Sequence, residues 1–138
     1  MPDFDSIVRE VKARHGIRVR RWRRQMSGCA WRVDFSDGRQ IRWIESPYPK
    51  TPMSLAIFLH EVGHHAIGFE RYPFECEEEY HVWLWALARM REHGVEPNAA
   101  VQRRFERSMQ HAVNKEFRRR RGELTLPPPL RRFQPRAA

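Results

Sequence analysis

Cysteine is scarce. Cys29 and Cys76 are the two in 138 residues, too few for a disulfide framework. The opening stretch, MPDFDSIVRE, has no apolar core of the secretory kind. A cytoplasmic protein with reduced thiols is therefore expected. No apolar run reaches the roughly 18 residues that a membrane span needs, so no membrane partner is expected. There is no glycine-rich phosphate turn either, which excludes a doubly wound dinucleotide-binding domain. Lysine is nearly missing: 3 against 23 arginines. No segment repeats.

What is present is enough for a core. The hydrophobic share is 41% and the charged share 31%, with five Trp and eight Phe. Wholesale disorder is excluded by that balance, and the length suits one domain. The net charge of +9 is unevenly placed. From Arg103 onward, ten Arg and one Lys face only Glu106, Glu116 and Glu123. The first two-thirds of the chain is nearly neutral. A basic last third suits an anionic partner, nucleic acid among them, or a solvated helix in an Arg-rich chain.

The order of elements reads as follows. Residues 4–14 form a short helix, capped by Asp3 or Asp5, with Ile7, Val8 and Val11 on one face and Gly16 at its end. Residues 17–20 alternate as a strand. Residues 30–35 and 40–44 are β-prone and flank Asp37-Gly38, a hairpin signal. A helix follows over 52–67, another over 75–93 and a third, basic one over about 97–121. Residues 123–138 carry four Pro and read as an extended Pro/Arg-rich tail. The expected class is α+β: one domain over 1–122, with an N-terminal helix, a small three-stranded antiparallel or mixed sheet and three helices packed on one sheet face.

The chemistry lies in His60-Glu61-Val62-Gly63-His64, which fits H-E-x-x-H. Histidines four apart on a helix project from one face and can grip one metal ion. Glu61 lies about 100° around the axis, where it can take a proton from a water on the open side of a zinc. The setting sharpens the pattern. Between Leu55 and Ile67 the one acidic or basic residue besides histidine is Glu61. A helix apolar almost all round is a buried one, and an unpaired carboxylate there costs several kcal/mol. Metal coordination by His60 and His64 removes that conflict; a salt bridge from Glu61 to one of the many arginines is the plainer alternative. Gly63 costs about 1 kcal/mol against Ala in a helix, consistent with another backbone passing close by.

A catalytic zinc takes a third protein ligand. The next helix opens Glu75-Cys76-Glu77-Glu78-Glu79. Cys76, Tyr80, Trp83, Leu87 and Met90 mark its buried face. On the helical wheel Glu79 lies about 60° from the centre of that face and the other carboxylates about 100° or more. Glu79 is the preferred ligand; Glu77 and Glu78 stay open, and Cys76 more weakly. Acidic residues at a helix N-terminus are also what the backbone dipole favours. His65 and His81 read as surface residues or supports of the ligands. Tyr72, and less so Tyr48, are the candidates to stabilise a transition state.

On these motifs the chain resembles the ImmA/IrrE family of zinc metallopeptidases. Leu59-His60-Glu61-Val62-Gly63-His64-His65 fits that family's zinc helix, and Glu79-Tyr80-His81-Val82-Trp83-Leu84-Trp85-Ala86 is similar to its E-x-x-A-x-x-[FWY]-A helix, with Val82 in the Ala place. The resemblance covers about residues 1–93. It implies a zincin-like minimal domain of the gluzincin kind, with zinc as cofactor on His60, His64 and Glu79 and Glu61 as the catalytic base. It also implies a narrow endopeptidase acting on a protein partner, often a repressor. The competing expectation is a basic nucleic-acid-binding or interaction module with a structural zinc or none. There the helix around Arg103, Arg104, Arg107, Lys115 and Arg118 to Arg121 would contact phosphates, joined by Arg20 to Arg24 and Trp22. A pseudoenzyme that kept the fold ranks third.

Overall fold

The computed structural model describes residues 2–136. Helix α1 (Phe4–His15) begins where the Asp3 carboxylate accepts from Ser6 N at 3.2 Å and ends at Gly16, whose φ of 62° is left-handed. Ile7, Val8 and Val11 are buried, as their spacing requires. Strands β1 (Ile17–Arg23), β2 (Cys29–Asp34) and β3 (Gln40–Pro47) follow. They form a mixed sheet in the order β1-β3-β2, with β1 parallel and β2 antiparallel to β3. The tight turn between β2 and β3 holds Gly38 at φ 92°, and Asp37 accepts from Arg39 N at 3.0 Å. Trp31 and Trp43 are register partners across β2 and β3, and their rings stack.

β1 runs three residues beyond the expected 17–20. Its arginines explain this. Glu45 of β3 is buried and accepts from Arg20 Nη1 at 2.6 Å and Arg23 Nε at 2.9 Å. The charge that looks unsuited to a strand is neutralised from the neighbouring strand.

Helix α2 (Pro52–Ile67) starts at a capping box between Thr51 and Ser54, with Pro52 in its first turn. Leu55, Phe58, Leu59 and Val62 are fully buried, so the apolar surround read from the sequence corresponds to a central helix between sheet and bundle. Helix α3 (Glu75–Glu92) packs across it, and α4 (Ala99–Arg119), capped by Asn98, packs against α3. Gly63 sits at the α2–α3 crossing. A Cβ there would meet Val82 Cγ1 at 3.0 Å and Trp85 Cε3 at 3.1 Å.

The expectation of an extended tail after residue 122 is corrected. Residues Pro128–Phe133 form a 3-10 helix, and Leu126, Leu130 and Phe133 are buried in the main core. Phe133 meets Phe105 of α4 edge-on, and Gln110 Nε2 donates to the Phe133 carbonyl at 2.8 Å. The prolines set the turn; Leu126 before Pro127–Pro129 and Leu130 and Phe133 after them join the core. No helix among the described residues is long and apolar enough to cross a membrane.

Candidate metal centre

Helices α2 and α3 bring His60, His64 and Glu79 together, one donor atom from each lying within 4.8 Å of the others. Glu79 bridges the two rings: its Oε2 lies 3.2 Å from His60 Nε2 and its Oε1 lies 3.1 Å from His64 Nε2. A tetrahedral zinc with bonds of about 2.0–2.1 Å separates its ligand atoms by about 3.3 Å. The two imidazole–carboxylate spacings are close to that figure, each to a different oxygen of Glu79, and both histidines present the same nitrogen. The donor set of two imidazoles and one carboxylate is one that zinc takes. The residues present therefore fit the ion.

The acidic run at the start of α3 divides its work. Glu78 is not among the three converging donors. Its Oε2 lies 3.2 Å from His64 Nδ1, and its Oε1 accepts from Glu70 N at 3.0 Å. An ionised carboxylate only accepts, so His64 Nδ1 carries a proton toward Glu78, which leaves Nε2 as the nitrogen that a metal ion would take. Glu75 pairs with Arg119 at 2.9 Å, away from the cluster. Cys76 is fully buried core. Burial opposes charge on His64, but Glu78 and Glu79 outweigh it and raise its pKa to about 10. Burial likewise opposes charge on Glu79, yet the two histidines hold its carboxyl well below the usual carboxylate range.

Glu61 is buried, at 6% exposure. Burial pushes its carboxyl above the ordinary range, with His60 and His64 pulling the other way. No arginine pairs with it among the described salt bridges; Arg23 is taken by Glu45. The segment joining β1 to β2 crosses directly over Glu61 at Gly28. A Cβ on Gly28 would stand 2.5 Å from the Glu45 carbonyl oxygen, 2.8 Å from Glu61 Cγ and 2.9 Å from Glu61 Oε2. Arg23 anchors that segment through Ser27 Oγ at 3.2 Å and Cys29 Sγ at 3.3 Å. The sequence reading missed Gly28 and Glu45. The one signal in the sequence is a lone acid, Glu45, in a strand that follows an arginine run; Ser27-Gly28 reads as an ordinary turn.

Other expectations are corrected by placement. His65 is not a surface residue: it is buried, with Nε2 3.0 Å from the Trp43 carbonyl oxygen. It fastens α2 to β3. Tyr48 is engaged elsewhere, donating its hydroxyl to Asp5 of α1. Tyr72 lines the same cleft as Glu78 and Glu79, its ring stacked on His81 at 4.4 Å. In the Arg20–Arg24 run, Arg20, Arg21 and Arg24 are exposed, whereas Trp22 and Arg23 are partly buried. Arg20 and Arg23 are held by Glu45, and Trp22 packs on Tyr48 and Phe58. Compared with protein-family models, curated proteins and solved structures, the chain matches none.

Proposed function

We propose that this protein is a zinc-dependent endopeptidase of narrow specificity, akin to the ImmA/IrrE metallopeptidases that its motifs resemble. The observation that carries the reading is the convergence of His60, His64 and Glu79 beside a buried Glu61. His60 and His64 would hold zinc through Nε2, and Glu79 through a carboxylate oxygen. Zinc, when bound, supplies a Lewis acid that polarises a peptide carbonyl and acidifies water.

The remaining work belongs to the chain. Glu61 accepts a proton from the attacking water and returns it to the amide nitrogen as the C–N bond breaks. Burial raises the proton affinity of its carboxyl, which suits a group that must hold a proton between those steps. Glu78 fixes the orientation and tautomer of His64. The Gly28 crossover covers Glu61 and limits the approach of bulk water. Tyr72 is the side chain of the cleft best suited to donate to an oxyanion. The partner in this reading is a protein or peptide substrate, and the two unpaired thiols suit a cytoplasmic setting.

The test compares new protein N-termini in a cell lysate treated with zinc-loaded wild-type protein and with Glu61→Gln. A small set of cleavages made by the wild type and absent with the variant is expected. The same cleavages from Glu61→Gln would contradict the role of Glu61, and none from either protein would contradict the activity.

A further inference from the structure

A cleft of about 1070 Å³ runs from the candidate metal centre along α4. One end is walled by Tyr72, Glu78 and Glu79, and Phe69 and Phe74 add apolar surface. Its α4 wall, besides the ion-paired Glu116, Arg119 and Arg120, is a stripe of Arg104, Arg107, His111 and Lys115. These positions are spaced three and four apart, so they share one helix face, next to the buried stripe of Val101, Phe105, Met109 and Val113.

The charge on this wall is unspent. Two other cations of the same cleft are neutralised, Arg119 by Glu75 and Arg120 by Glu116, and Arg132 outside it pairs with Glu106. Arg107 and Lys115 make no ion pair among the described residues. Arg104 spends one N–H on the Met26 carbonyl at 2.8 Å, which supplies no opposing charge. A concave wall of one sign concentrates ligands of the other sign and sets their orientation.

We infer that this cleft docks an acidic peptide segment, so that the protein cut at the metal centre carries Asp or Glu residues to one side of the scissile bond. The clause about cutting rests on the reading proposed above; the docking of acidic peptide does not. Three features favour a peptide over nucleic acid. The cleft is sized for side chains and extended backbone, at the upper end of small-ligand pockets, whereas a duplex is far wider. Its far end carries the Glu78 and Glu79 carboxylates, which repel a phosphate chain but leave room for an uncharged stretch of peptide. The aromatic rings beside them suit apolar side chains near the bond to be cut.

The test uses zinc-loaded full chain and fluorescence anisotropy at low salt. The probes are a labelled peptide with a Glu-rich half and an apolar half, the same peptide with Gln for Glu, and the Glu peptide ending in a hydroxamate at its apolar end. The Glu peptide should bind at least about tenfold tighter than the Gln peptide, and Arg107→Gln with Lys115→Gln should abolish most of that difference. Arg103→Gln with Arg118→Gln, also exposed on α4 but outside the cleft, should leave it intact. The hydroxamate should tighten binding further, and only when zinc is present. Equal binding of the two peptides, an equal loss in the control pair, or displacement of the Glu peptide by a short DNA duplex that itself depends on Arg107 and Lys115 would overturn the inference. A missing hydroxamate increment with cleft-dependent Glu binding retained would strike the metal reading and the cutting clause while upholding the docking. Cleft-independent binding in a protein that holds zinc would strike the docking alone.

Discussion

At the scale of single residues, two glycines without unusual φ values carry close approaches. Gly63 lets α3 pack on α2 beside His64, and Gly28 lets the β1–β2 segment cross Glu61. Their replacements should differ in a ranked way. Gly63→Ala gains about 1 kcal/mol of helix propensity but crowds Val82 and Trp85 at 3.0–3.1 Å. Overpacking typically costs about 1–3 kcal/mol, so a modest net loss is expected. Gly28→Ala places its Cβ 2.5 Å from a backbone oxygen, where only movement of the crossover relieves the clash. Urea unfolding should show a larger loss of stability for Gly28→Ala than for Gly63→Ala. The opposite ranking would show that the crossover is not held against Glu61.

At the scale of elements, the tail is the informative case. Phe133 is buried against Phe105, and Phe-to-Ala changes in a core typically cost about 3–5 kcal/mol. Phe133→Ala should therefore shift the unfolding midpoint of the whole domain in one transition, by roughly 3 kcal/mol. A change below about 0.5 kcal/mol, the range of ordinary surface substitutions, would show the tail to be undocked in solution. Composition hid this docking: four prolines look extended, while the spacing of Leu126, Leu130 and Phe133 was there to be read as a face. The same contrast runs through the chain. The placement of His60 and His64 on one side of α2 was legible because both sit on one helix with Glu61, where spacing sets direction. Glu79 was legible because the buried face of α3 is strongly marked. The length of β1, the burial of His65 and the cover over Glu61 were not legible. Each depends on a partner distant in sequence: Glu45, the Trp43 carbonyl and Gly28. The parallel pairing of β1 with β3, past β2, is likewise a tertiary choice that local pattern leaves open.

At the scale of the whole molecule, the site joins stability to pH. In protein stripped of metal, His64 has a folded pKa of about 10 against an ordinary 6.5. Its contribution is fully present below pH 6.5 and is lost as pH rises toward 10. Glu79 is depressed below its ordinary 4.5; its contribution is present above pH 4.5 and is lost as pH falls through its folded value. Glu61, raised from 4.5 by burial, holds its proton longer folded than unfolded and so adds to the alkaline loss. Thermal melts of stripped protein should place maximum stability between pH 4.5 and 6.5, the ordinary values of these groups. Zinc should remove much of the alkaline decline, because a ligated His64 no longer depends on its proton. A melting temperature flat from pH 6.5 upward in stripped protein would contradict this coupling.

The charge pattern fits the same view. The strongly basic last third is partly neutralised within the fold, and Arg107 and Lys115 on the cleft wall are among the cations left over. Everything functional in this reading turns on whether His60, His64 and Glu79 hold an ion together. The most direct measurement is zinc per chain by elemental analysis, on tag-free protein exposed to zinc and dialysed, with His60→Ala and Glu79→Gln alongside. About one zinc per wild-type chain, and much less in both variants, is the expected result. No retained zinc in folded wild-type protein, or equal zinc in all three, would contradict the metal centre.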